Sequence, residues 1–329
     1  MIYPVLPGMV SIVVASYNHS GYLKARMESL INQTYQSIEI IVIDDCSTDD
    51  SLVILREYES NPRVRLIQRE SNGGWITVSN QGIEISKGEF VLFANCDDFC
   101  QHDMVEKLVA RIEGDSDIGI SFCRSLMVDE DNAITGDDFQ MRERSFKKLC
   151  HQNVVIEGSN MSRFLLHSCV IPNLSAALIR RECFTTLGVL SSAFRLCSDW
   201  EFFFRVATGY KFSYSAASMN SFRQHKNTIR SSTKLRITYE EYLRLLLSEI
   251  SNISLSSGER VKFRVRAMEL WASYLVGPSL AGIRDFPFHL KLVTSLDKAA
   301  IVFLPYCMVI RSCQLLVKVT RMTLLPKNK

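Results

Sequence analysis

VSIVVASYNHSGYLKARMESLINQTYQSIEIIVIDDCSTDDS, Val10 to Ser51, decides the fold. Val10–Ser16 is a continuous, largely β-branched run, the pattern of a parallel strand buried on both faces. Tyr22–Gln33 then carries apolar residues at helical spacing: Leu23, Met27, Leu30 and Ile31. Ile38–Asp45 is a second buried strand ending in two acids. Beyond it, Asp49 or Asp50 is placed to cap a helix with Leu52–Tyr58 as its body.

The alternation continues outward. Val64–Arg69, Glu89–Asn95 and Ile118–Cys123 read as strands, while GGWITVSNQGIEIS and Met104–Ile112 hold helices. This order predicts an α/β fold, a mostly parallel sheet covered by helices on both faces. Ligands of such sheets bind outside the carboxyl ends of the strands. The polar clusters fall there: Ser16-Tyr17-Asn18, Asp44-Asp45, and Asn95 to Asp98.

Residues 124–170 are polar, with acids at Asp129–Asp131 and Asp137-Asp138, and read as a long, partly ordered insertion suited to a lid or to acceptor contacts. From Leu174 the chain reads as helical again. Ser198–Gly209 is a helix with Ser198 as cap and Gly209 as stop, and Ser218–His225 is a short strand running into a loop. After about residue 234 the character changes. Tyr239–Ile253 and Arg260–Leu275 are amphipathic helices, the second carrying Met268, Leu270, Trp271 and Leu275. The expected division is a catalytic domain over 8–232 and a helical C-terminal region over 233–329, with no internal repeat.

Composition narrows the class. Apolar residues are 47% and charged residues 22% of 329, ordinary for a globular chain with a large core. A net charge of +3 gives no case for nucleic acid. Phe286–Lys329, however, holds seven Lys and Arg against the one acid Asp297, mixed with apolar residues, as in a helix lying on an anionic membrane. Ala299–Ile310 is a mostly apolar run of twelve residues broken by Pro305, short of the roughly 18 that a bilayer span needs. Docking on the catalytic domain and peripheral membrane contact both stay open for this tail. The ten cysteines show no C-x-x-C spacing and read as buried thiols in a reducing compartment, not a zinc site or disulfide frame. The opening MIYPVLPGMV lacks the basic start and apolar stretch of a secretory signal, so the expected location is cytoplasmic.

Several side chains have two readings. Asp97, at a strand end, is suited to a divalent metal through oxygen, or is simply solvated beside a capping Asp98. Asp44 and Asp45 suit a base edge or ribose, or an Asx turn. Asp199, early in a helix ahead of Trp200, Phe202, Phe203 and Phe204, suits a general base beside apolar rings, or an acid stabilised by the helix dipole. Arg223 and His225 share a strand face and suit a diphosphate or a metal. Asn72-Gly73-Gly74 suits close backbone approach to a ligand, or a tight turn; Trp75 and Trp271 are packing residues.

These blocks in this order resemble the family 2 glycosyltransferases, the inverting family with the GT-A fold. Val10–Ser51 is similar to their N-terminal signature, GEFVLFANCDD to the strand ending in their D-x-D element, CSDWEFFFRVATG to the helix that starts with their catalytic Asp, and SFRQH to their arginine-histidine segment. The likeness covers about residues 10–230. It implies a nucleotide-sugar donor, probed by Ala15, Tyr17 and Asp45, with Asp45 facing the base. It implies magnesium or manganese on Asp97, with His225 on the metal or diphosphate and Arg223 on the diphosphate. Asn95 and Asp98 would support the ribose or metal waters, and Asp199 would deprotonate a glycan or lipid-linked glycan acceptor. Two departures stand out. Asn95 replaces the first acid of D-x-D. Ser79-Asn80 replaces a common Arg-Asn pair, whose donor contact Arg69 is placed to supply.

Two other enzyme classes are disfavoured. No G-x-G-x-x-G follows the first strand, as a dehydrogenase would require, and ASYNHSG is not the Gly-rich, basic loop of a sugar-nucleotide synthesising enzyme. A degenerate, non-catalytic nucleotide-sugar or glycan-binding protein of the same fold is the alternative that Asn95 favours and that Asp97 and Asp199 oppose.

Overall fold

β1 (Leu6–Ser16) lies between two parallel neighbours, β2 (Ile38–Asp44) and β4 (Gly88–Phe93), and β3 (Val64–Gln68) extends the parallel set beyond β2. Alternate β1 residues face opposite layers. Val10, Ile12 and Val14, all fully buried, share a core with Leu23, Met27 and Leu30 of α1 (Ser20–Ile31). Val13 faces Gly82 of α3 (Trp75–Ile85), and on the same helix Val78 packs with Ile41 and Ile43 of β2. Each such side chain contributes about 1.5–3 kcal/mol on full burial. Burial on both faces is why these strands are apolar runs without alternation.

The computed structural model describes residues 3–138, 142, 144–226, 228, 233–277 and 281–324. The remaining elements of the first half are α2 (Ser51–Arg56), β5 (Phe99–Cys100) and α4 (Met104–Val109). Then come β6 (Ile118–Val128), β7 (Ile134–Asp137), α5 (Arg144–Lys147), β8 (Val154–Ile156) and α6 (Gly158–His167). β9 (Ala177–Arg180), α7 (Glu182–Leu187), α8 (Ser198–Ala207) and β10 (Lys211–Arg223) follow. Among the described residues the strands make one ten-stranded sheet, ordered β3-β2-β1-β4-β9-β6-β10-β5, with β7 on β6 and β8 on β10.

The parallel half matches the alternation read from the sequence, whereas beyond β4 the sheet is mixed. β9 runs antiparallel to both β4 and β6, and β10 is parallel to β6. Two local expectations are corrected. The segment from Leu174 does not become helical at once: after one 3-10 turn (Leu174–Ala176), Ala177–Arg180 fills a buried slot between two strands, so tertiary packing overrides the helix preference of Ala and Leu, and helix returns only with α7. Residues 124–170 are also more regular than expected. β6 continues through Val128 because its polar positions are paired internally: Ser125 N–H donates to Asp138, and Asn220 Nδ2 donates to Ser125 Oγ at 3.0 Å.

The chain divides into two compact units, Met1–Thr228 and Ile229–Lys329. The second contains α9 (Leu235–Asn252), α10 (Ser257–Leu275), α11 (Ala281–Leu296) and α12 (Leu304–Leu324), with a 3-10 segment Lys298–Phe303 before the last. α10 starts with a capping box between Ser256 and Glu259, and its Trp271 is fully buried and stacked on Phe286. Arg264 pairs with Asp297 at 2.6 Å, and Cys307 of α12 donates to the Val265 carbonyl. The apolar run counted from the sequence proves too short. Pro305 sits in the first turn of α12, where its missing N–H breaks nothing, so the stretch Lys298–Leu315 reaches 18 residues with mean hydropathy 1.3, and only 17% of it is buried. By length and composition it could cross a membrane. The last basic residues of the tail, Lys327 and Lys329, lie outside the described residues.

Gly82 tests the two-sided packing of β1, because an added Cβ would strike Val13. Gly82→Val is expected to cost about 1–3 kcal/mol through overpacking, read as a lower urea midpoint. Gly114→Ala, which meets open space, leaves the midpoint in place.

Candidate active site

The rim of the sheet is built by loops that clasp one another. After β1, Asn18 takes the left-handed region at φ 52°, which Asn tolerates, and its Oδ1 accepts from Thr48 N–H at 2.8 Å. His19 N–H donates to Ser51 Oγ, and Ser20 N–H to Asp49. The loops following β1 and β2 are thereby joined. Ala15 and Tyr17 flank this junction, Tyr17 exposed and Ala15 partly buried.

The Asp44 carboxylate is buried and accepts from Ser47 N–H and Oγ–H, an Asx turn. Asp45 is likewise turned inward. Its two oxygens accept from Gly73 N–H and Gly74 N–H, each at 2.8 Å, and Arg69 Nε lies 2.9 Å away. Gly74, at φ 81°, makes this approach possible and opens α3. Asp45, expected against a base, is here engaged by the chain's own turn, and Arg69 is held by Asp45 and Gln81. Asn80 is also spent internally. Its side chain donates to and accepts from the backbone of Leu190, while Trp75 Nε1 donates to the Arg195 carbonyl. Both tie α3 to the loop that leads into α8.

After β4 the two acids part. Asp98 is buried: its carboxylate accepts from Asn173 Nδ2 at 2.7 Å and Arg223 N–H at 3.0 Å, and Arg26 lies 3.9 Å away. Burial and then the Asp97 charge push its carboxyl up to about 7, against the pull of Arg26. Asp97 faces outward, with Oδ2 2.9 Å from His225 Nε2. Burial pushes this carboxyl up, but the His225 hydrogen bond and the His19 charge outweigh it and hold it below the usual carboxylate value. Asn95 is partly buried. Its N–H donates to Ser175 Oγ, and its carbonyl accepts from Arg26 Nε.

His19, Asp97 and His225 offer ligand atoms within 4.8 Å of one another. One carboxylate oxygen and two imidazole nitrogens form a donor set that fits a divalent ion. The sequence reading paired Asp97 with His225 and missed His19, whose signal was its place three residues past the end of β1 on the same rim.

Two of the expected ligand-binding residues are engaged within the chain. The Asp98 carboxylate is buried in contacts with Asn173 and the Arg223 backbone. Arg223 is likewise enclosed. It is 2% exposed; its Nε donates to the Asp97 carbonyl, Nη1 to the Asp129 and Glu130 carbonyls, and Nη2 to Asn132 Oδ1, with the guanidinium over the Tyr22 ring. Arg223 holds the rim together from below.

Asp199 lies in the first turn of α8, partly buried, with Oδ1 accepting from Trp200 N–H at 2.7 Å. The aromatic residues after it anchor the helix. Phe202 stacks on Phe184 at 4.6 Å, and Trp200 Nε1 donates to the Leu165 carbonyl of α6. Ser198 Oγ–H donates to the Ser191 carbonyl, and Cys197 occupies the cap position expected for Ser198.

Residues 11–187 match the sequence profile described as Glycosyl transferase family 2, and the chain belongs to that family. Glycosyltransferase GlyG of Streptococcus pneumoniae is 33% identical over 163 residues, 48% of this chain and 54% of that one. The first curated relatives are matched over 37–62% of their own lengths. Among solved structures, S. aureus TarS 1–349 in complex with UDP-GlcNAc has a TM-score of 0.67 at 17% identity, covering 92% of this chain and 88% of that one. The mannosyltransferase PcManGT of Pyrobaculum calidifontis, in complex with GDP-Man and Mn2+, has a TM-score of 0.53 at 15% identity, covering 93% and 86%. The shared fold is the GT-A type.

The scaffold role of Arg223 has a measurable consequence. Arg223→Met is expected to lower stability by about 3 kcal/mol or more, since several buried carbonyls lose a charged donor. Thermal unfolding checks this; lost nucleotide binding at unchanged melting temperature would instead mark a ligand contact.

Proposed function

We propose that the chain is an inverting glycosyltransferase that moves a sugar from a nucleoside diphosphate sugar to a glycan or lipid-linked glycan, as in bacterial-type surface polysaccharide assembly. The observation that carries the reading is the convergence of His19, Asp97 and His225 on the carboxyl rim of a family 2 sheet. Uridine is the favoured base, in keeping with the UDP-GlcNAc complex of the TarS neighbour. Ala15 and Tyr17 line the nucleotide pocket, and Asp45 keeps that pocket in shape through the Gly73-Gly74 turn.

Bound to His19, Asp97 and His225, a magnesium or manganese ion would supply positive charge for the leaving diphosphate. The two imidazoles favour manganese, the ion in the PcManGT complex. Asp199 takes the proton of the acceptor hydroxyl as that oxygen bonds to the anomeric carbon. The bond from that carbon to the diphosphate oxygen breaks on the opposite face, and its electron pair leaves with the nucleoside diphosphate. One displacement inverts the configuration. Asn80 and Trp75 contribute by fixing the loop before Asp199.

Location is part of the proposal: a cytoplasmic protein, peripheral on the inner face of the plasma membrane. Val302, in the 3-10 segment, and Tyr306 and Val309 of α12 are 75, 62 and 61% exposed, and Tyr306, Val309 and exposed Cys313 recur at spacings of three and four, one face of α12. Lys298, Arg311, Lys318 and Arg321 in the same stretch suit an anionic surface.

Asp199→Asn is expected to lower transfer by about 10²–10⁴-fold with nucleotide binding kept. Asp97→Ala should abolish both transfer and manganese-dependent binding. His19→Ala should weaken manganese binding, read by calorimetry, by at least the roughly 10–100-fold that loss of an outer-shell partner costs. Full transfer by Asp199→Asn would overturn the general-base role of Asp199, whereas nucleotide binding without transfer by the native chain would favour the degenerate, ligand-binding alternative. Val302→Asp with Val309→Asp should release the protein from anionic vesicles in flotation; unchanged flotation would rule out that face.

A further inference from the structure

Beside the segment that follows α6, a cavity of about 30 Å³ is lined by Asp138, Arg142, Met127, Phe222, Cys169 and Pro172. The mechanism above does not use it. Its polar wall is an ion pair, Arg142 Nη2 to Asp138 Oδ2 at 2.5 Å, with both side chains at most 5% exposed. Among the described residues, Arg142 Nε and Nη1 and Asp138 Oδ1 are buried without a hydrogen-bond partner. Orphaned polar atoms at such depth are costly unless something completes them.

The orphans specify what would fit. A hydroxyl has one hydrogen to donate and lone pairs to accept. Both residues line the cavity: Arg142, whose guanidinium also lies over the Phe146 and Tyr214 rings, offers donors, and Asp138 Oδ1, 3.9 Å from Arg124 Nε, offers an acceptor. Charge is already balanced, since Arg142 pairs with Asp138 and Arg124 with Asp137 at 2.6 Å, so the pocket does not select an anion. Its size admits one water-sized group. Met127, Phe222 and Pro172 supply apolar surface for carbon-bound hydrogens.

Two covalent neighbours and one helix contact tie the pocket to the rim. Phe222 precedes Arg223, which bonds the Asp97 carbonyl. Pro172 precedes Asn173, which bonds Asp98. Cys169 lies two residues past α6, to which the Asp199 helix is joined through Trp200 and Leu165. We propose that this cavity is a carbohydrate subsite, in which Arg142 and Asp138 together clasp a hydroxyl of the acceptor glycan. The assignment rests on the glycosyltransferase reading for the word acceptor, but the pocket's chemistry stands apart from it.

The test uses the full chain and two variants. Cys169→Met fills the cavity with a flexible side chain, and Arg142→Lys keeps the charge but removes the guanidinium fork. Methyl glycosides of glucose, galactose and N-acetylglucosamine are the probes, followed by saturation-transfer NMR, and UDP with manganese is followed by thermal shift. Glycoside binding should weaken about tenfold or more in both variants, the worth of a hydrogen bond, while the nucleotide response is unchanged. No glycoside binding to the native chain, or equal binding to Cys169→Met, overturns the subsite. An absent nucleotide response with cavity-dependent glycoside binding overturns the transferase reading and keeps the subsite. Should Arg142→Lys fail to fold, Cys169→Met decides alone.

Discussion

The buried carboxylate of Asp98 is the constraint on which the rim depends. Withdrawing a charge from water is costly unless partners replace the lost hydration. Here the partners come from three distant segments: Arg26 on α1, Asn173 before β9, and the Arg223 backbone at the end of β10. Meeting them fixes where the β4 strand end stops, and so turns its neighbour Asp97 outward to His225. One of two adjacent acids is spent on the fold, while the other stays on the rim beside His225.

The same arrangement gives Asn95 a reason. With Asp98 buried and Asp97 partly buried, a third acid two residues earlier would add like charge in a poorly hydrated place. An amide there brings none. In the proposed metal site, the imidazoles of His19 and His225 would offer the ligand atoms that a second carboxylate could otherwise provide. The three groups stand on three separate loops.

How much of this was legible in the sequence depends on what each residue contacts. β1, α1 and β2 could be read because burial on both faces leaves unbroken apolar runs. The positions of Asp97 at a strand end and Asp199 in the first turn of a helix could be read because each adjoins a strong local element. β9 could not: four buried residues carry too little pattern to show that they fill a slot between two strands. Arg223 was visible as a cation, but its role was not. Its partners are mostly backbone carbonyls of a loop whose path depends on the folded sheet. Asp45 was hidden in the same way, since the amides it accepts come from a turn 28 residues downstream.

The insertion of β9 also dictates an order of events during synthesis. β1, β2, β3 and β4 are complete by residue 93, yet the free edge of β4, with Phe90, Val91 and Leu92, has no partner until residues 177–180 emerge. β6 waits about as long for its main partner, because β10 begins at residue 211. For the time it takes to translate more than a third of the chain, the nascent protein carries an open apolar strand edge. Parallel and widely separated pairings are slow to form in any case. The mixed half of the sheet, which gives the site its floor, is therefore also the part of the molecule whose folding calls most for protection at the ribosome.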